Sequence, residues 1–289
     1  MLCFSTTASG QFYDGSNTTF GKSRVQYQEF IWQYYRFDRF DTYFYEGGKD
    51  LAAFVSEVAP EHIQDIENKL DYVFDGRIEF IIYKTQSDFR QSNLGMAGLD
   101  AQQEVGGTAQ IVGTKVFVFY EGDHELLISR LREGIARLLV QAMLYGGDWK
   151  DVVKNSALLN LPDWYTEGLI AYLKDDWGPD VQSRVKDGIT SGRYERFNRL
   201  DASESVYAGL SVWRYIAEVY GESVIPNILY MTRISRSVES GFIFVMGIPL
   251  PDLMDQYMIY YRNRFQDEGI AISDSGVEEI RLKTKAERS

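Results

Sequence analysis

The chain has 289 residues, 45% hydrophobic and 25% charged, and carries 17 Phe, 20 Tyr and 5 Trp. Those proportions exclude a disordered chain and suit one large domain or two small ones around a sizeable core. The 30 Lys and Arg against 42 Asp and Glu leave a net charge of −12, which repels phosphate backbones and makes nucleic acid and anionic membrane surfaces poor partners.

Histidine and cysteine narrow the chemistry further. His62 and His124 are the only histidines and Cys3 the only cysteine. Zinc sites that draw on several His or Cys ligands are absent, and no disulfide forms within one chain. A Cys–His nucleophilic pair would have to use Cys3, in a segment expected to be unstructured or removed.

Taken in chain order, residues 1–20 read as a signal-peptide remnant and leader. Ala8-Ser9-Gly10 before Gln11 has the small-residue pattern of a cleavage site, so export to the periplasm or cell envelope is the expectation. Asn17-Thr18-Thr19 fits a glycosylation pattern, which means little if the source is bacterial. No apolar run approaches the roughly 20 residues that span a bilayer.

Residues 21–122 carry strand signals and form the expected mixed-sheet subdomain. The aromatics between Tyr27 and Tyr45 suit half-buried packing more than a binding platform. Residues 40–45 alternate and stop at Gly47-Gly48, and residues 77–83 form the next strand. Between them, residues 49–70 have helical spacing, with Pro60 expected to break the helix or start a fresh one. Residues 93–107 are polar and glycine-bearing, hence loop, and residues 108–112 and 115–120 read as a hairpin across Gly113-Thr114.

The second half, residues 123–267, reads as a helical subdomain. Asp123 is the expected N-cap of a helix to Tyr145, ended by Gly146-Gly147 and burying Leu127, Ile128, Leu131, Ile135, Leu138, Leu139 and Ala142. Further helices are expected over 162–174, 179–190, 204–220, 223–233, 237–246 and 251–267, and residues 268–289 as a linker or truncated tail. The fold class is therefore α+β, a small mixed sheet followed by helices.

Strands, a long helix, then Trp164-Tyr165-Thr166-Glu167-Gly168-Leu169-Ile170-Ala171-Tyr172 resemble the gluzincin metallopeptidases of the peptidase MA-like superfamily. Such enzymes carry His-Glu-x-x-His on the long helix: two histidines four apart bind zinc and the glutamate between them is the general base. A later Trp-x-x-Glu-Gly-x-Ala-x-Tyr segment supplies the third ligand, and Trp164, Glu167, Gly168, Ala171 and Tyr172 match it.

The histidines do not match. The best register puts Arg132 and Ala136 at the ligand positions and Glu133 at the base, while a rival register on His124 and Glu125 meets Ile128. The resemblance, which covers about residues 40–265, thus implies a gluzincin-like fold without zinc or other cofactor. Arg132 is expected to replace the metal charge by bridging toward Glu167 and Glu133. Tyr207 stands near the family's oxyanion-supporting tyrosine and is read as core or groove lining, with Trp164 and Tyr165 as the other groove residues. His62 and His124 are expected at the surface.

The resemblance further points to bacterial exported proteins in which such a domain precedes a TolB-like β-propeller. The implied function is a non-catalytic, pseudopeptidase binding or scaffolding module with a protein or peptide partner. Two alternatives stay open: an active metallopeptidase with a non-standard metal site on Glu133, Glu167 and His124, and a purely structural spacer. No P-loop, dinucleotide glycine pattern or Gly-x-Ser-x-Gly elbow is present.

Overall fold

In a computed structural model, the protein is described over residues 8–9, 30–91, 110–146, 159, 161–175 and 177–274. The expectations for residues 1–7, 10–29, 93–107 and 275–289 lie outside these. Strand β1 (Ala8–Ser9) adds two residues to the edge of β2 (Ile31–Arg36), which forms an antiparallel pair with β3 (Phe40–Phe44). Helix α1 (Lys49–Leu70) then crosses to β4 (Ile78–Tyr83), parallel to β3, and is followed by α2 (Gln86–Gln91). The hairpin of β5 (Gln110–Val112) and β6 (Lys115–Phe119) closes the sheet in the order β1-β2-β3-β4-β6-β5, with β6 parallel to β4 and β5 antiparallel at the edge. Gly113 turns this hairpin at φ +60, a left-handed conformation that disfavours side chains.

The helices follow in one run: α3 (His124–Tyr145), α4 (Asp163–Lys174), α5 (Pro179–Thr190), α6 (Ala202–Tyr220), α7 (Val224–Ser235), α8 (Val238–Met246) and α9 (Leu250–Asp274). Two 3₁₀ turns, Arg193–Glu195 and Phe197–Arg199, join α5 to α6. The arrangement is α+β, a small mixed sheet with about nine helices among the described residues. None of the described helices is long and apolar enough to cross a membrane.

Alternation divides the sheet between two cores. Phe40, Phe80, Ile82, Val116 and Val118 face α1 and α3, in a core that continues to Trp213 on α6 and Tyr261 on α9. Trp32, Ile81, Tyr83, Phe117 and Phe119 form a separate cluster on the other face. Asp123 caps α3 as its position predicts, its carboxylate accepting from the Glu125 and Leu126 amides.

Three expectations need correction. Helix α1 runs through Pro60 unbroken, because its face of Val55, Ala59, Ile63 and Ile66 stays buried on both sides of the proline. Helix α9 continues beyond residue 267 to Asp274. Strand β2 and helix α2 have no counterpart in the elements expected from sequence, β2 because its aromatics lack a clean two-residue alternation.

Candidate functional site

The site begins with how α4 is held. Gly168 of α4 lies against Gly209 of α6 so closely that a Cβ on Gly209 would stand 1.9 Å from the Trp164 carbonyl oxygen. The two backbones are in direct contact, and the Trp213 indole N–H donates to the Tyr165 carbonyl at 2.9 Å across the same seam. With that side of α4 buried, Glu167 projects toward α3.

The α3 side chains that meet it are Arg137 and Glu133, four residues apart and so on one face of the helix. Arg137 donates to both Glu167 oxygens, at 2.6 and 2.8 Å, a fork-to-fork pair, and reaches Glu133 Oε1 at 3.3 Å. Lys174, at the end of α4, stands 3.7 Å from the other Glu133 oxygen. Glu133 is 6% exposed, and burial raises its pKa against the pull of Arg137 and Lys174. Burial pushes Arg137 down, but the hydrogen bonds and charge attraction of Glu167 and Glu133 together outweigh it and hold the guanidinium above its ordinary value. The Arg137 Nε is buried without a hydrogen-bond partner among the described residues.

Arg132 does not make the expected bridge to Glu167. Its guanidinium is committed to Asp65 at 2.7 Å, His62 Nδ1 at 3.1 Å and the carbonyls of Leu173 and Lys174. It ties the C-terminus of α4, where backbone carbonyls lack helical partners, to α1. His62 is therefore not a free surface residue: burial and the neighbouring Arg132 lower its pKa, and the neutral ring accepts from the guanidinium. Ala136 is fully buried in the core. The face that addresses Glu167 is thus 133/137, one residue on from 132/136.

His124 stands about nine residues before Glu133, on the order of 13 Å along the helix. Its ring packs on Phe54, with centroids 4.6 Å apart, and Tyr120 Oη lies 3.3 Å from Nδ1. It does not join the carboxylates. Tyr207 is half-buried, with the Arg184 guanidinium 4.9 Å over its ring. Tyr165 is not a groove residue: it is fully buried and donates its hydroxyl to Thr232 at 2.9 Å. Trp164 is mostly buried but borders an open cleft of about 1290 Å³, lined also by Phe197 and by residues of α8 and α9.

Sequence reasoning named Glu133 and Glu167 and missed Arg137. The signal was available as a Glu-to-Arg pair at i, i+4, a spacing that puts opposite charges side by side on a helix. Among the described residues no group of three or more His, Cys, Asp or Glu side chains is placed to hold a metal ion. The central group of the cluster is a guanidinium, a donor with no lone pair to offer a metal. Zinc does not fit this donor set. Comparison with protein-family models, curated proteins and solved structures gives no match.

Proposed function

We propose that the chain is a zinc-less, peptidase-like domain of the gluzincin kind that works as a non-catalytic binding or scaffolding module in the cell envelope. The exported location rests on the Ala8-Ser9-Gly10 pattern together with the resemblance, and the neighbouring β-propeller on the resemblance alone. The observation that carries the proposal is Arg137, whose guanidinium lies between Glu133 and Glu167. On the His-Glu-x-x-His spacing, the two α3 positions facing Glu167 are the ligand positions. Glu133 and Arg137 fill them, and the general-base position falls on Gly134, which has no side chain to accept a proton. A fixed cation then balances the carboxylates in place of a metal.

The metallopeptidase alternative requires His124 beside Glu133 and Glu167, and its ring is engaged with Phe54 and Tyr120 instead. The spacer alternative is favoured by the filled motif cluster. The binding reading is favoured by the separate open cleft beside Trp164. The test is the metal content of the purified protein by elemental mass spectrometry after dialysis against zinc. A well-folded protein with zinc far below one per chain is expected. One zinc per chain, lost in Glu167→Ala, overturns the proposal and restores the metallopeptidase alternative.

A further inference from the structure

Most described arginines hold a carboxylate, as expected in a chain of net charge −12. Arg196, Arg199 and Arg236 hold none among the described residues; all three are exposed, and all three line the cleft beside Trp164. Arg199 belongs to the second 3₁₀ turn, Arg196 precedes it, and Arg236 caps α7 just before α8. Three guanidiniums that hold no carboxylate among the described residues are thus placed around one concavity of an acidic protein.

The acids that share this lining do not cancel them. Glu195 is taken by Arg262 at 2.5 Å, which leaves Glu239 and Asp255 against the three arginines. The Glu239 carboxylate also accepts from the Ser237 hydroxyl at 3.1 Å. The same lining carries apolar side chains, among them Trp164, Phe197, Leu250 and the pair Met254 and Met258, one helical turn apart on α9. Thioether side chains adapt to irregular apolar partners. The volume of about 1290 Å³ exceeds the range of roughly 300–1,000 Å³ typical of small-molecule sites. A second cavity of about 540 Å³ shares Glu195, Arg196 and Arg199, so the two arginines stand between adjoining depressions.

We propose that this cleft binds an acidic peptide segment, its carboxylates on Arg196, Arg199 and Arg236 and its apolar side chains on the Met254–Met258 wall. The inference rests on the binding-module reading and names its partner. A membrane headgroup surface is the lesser fit, because the arginines surround a concavity and the chain as a whole is acidic.

The test is fluorescence anisotropy on the full chain with a labelled peptide of about eight residues alternating Glu with Leu and Phe, and with the same peptide carrying Lys for Glu. The acidic peptide is expected to bind and the lysine peptide not. Affinity should fall by about tenfold in Arg196→Ala/Arg199→Ala/Arg236→Ala and fall again with added salt. All three positions are exposed, so the variant keeps its fold, checked by circular dichroism; Met254→Glu should weaken binding independently. Equal binding of the two peptides, or an unaffected triple variant, overturns the proposal. So does arginine-dependent binding to phosphatidylglycerol vesicles without peptide binding, which assigns the surface to a membrane. Zinc content plays no part in this measurement, so it fails separately from the reading on which it builds.

Discussion

Arg137 serves two carboxylates with one guanidinium, and serves them unequally. Glu167 receives two short hydrogen bonds, while the more deeply buried Glu133 receives one at 3.3 Å and an ammonium at 3.7 Å. Removing the cation leaves both anions facing each other in a poorly solvated seam. Arg137→Met is expected to cost stability near the lower end of the about 3–5 kcal/mol for breaking a buried pair, because Glu167 keeps a third of its side-chain surface in water. Urea denaturation measures it, and a loss under about 1 kcal/mol contradicts the central role given to this residue. Glu133 adds a pH dependence of unusual sign. Its raised pKa means that the native state keeps a proton the unfolded chain releases near the ordinary value of 4.5. The stability it contributes is complete below that value and is lost as pH rises through the folded value. Glu133→Gln should remove this loss, so that variant and parent converge in acid and the variant pulls ahead as pH rises; a gap that stays constant with pH refutes it. The motif register pointed to Arg132 as the partner of Glu167 and passed over Arg137. The helix separates them, since five residues at about 100° each turn Arg132 toward α1 and Asp65 while Arg137 faces α4.

At the scale of elements, the contact of α4 with α6 sets where Glu167 points. Gly209→Ala would gain up to about 1 kcal/mol of helix propensity. The new methyl would meet the Trp164 carbonyl oxygen at 1.9 Å, and backbone cannot swing aside as a flexible side chain can. Forced separation of the helices outweighs the propensity gain, at about 1–3 kcal/mol or more for overpacking. The variant is expected to unfold at lower urea than the parent, with Trp213 fluorescence reporting the loosened seam. The Glu-Gly pair that carries the resemblance thus has a packing role of its own. Long helices with clear periodicity, such as 49–70 and 124–145, were legible from sequence because their buried faces repeat over many turns. The six-residue α2 gives too few turns for a period to emerge, and β2 reads Ile-Trp-Gln-Tyr-Tyr-Arg, aromatic without alternation.

For the molecule as a whole, the division into a sheet half and a helical half is less sharp than the change in sequence pattern at residue 123 suggests. One core holds Val55 of α1, Phe80 of β4, Leu131 of α3 and Tyr257 of α9. The α+β class was legible because strand-like and helix-like segments are segregated along the chain. The second cluster, around Trp32, Tyr83 and Phe119, was not, since it depends on which face of each strand is covered. The Arg-lined cleft was invisible for a similar reason: its walls come from α4, the 3₁₀ turns, α8 and α9, which no short sequence window contains. A metal clasp must be loaded after synthesis, and its strength then follows the free metal concentration and the chelators around it. A guanidinium is part of the polypeptide, so the seam between α3 and α4 carries its counterion from the moment the chain is made, and its closure is independent of supply.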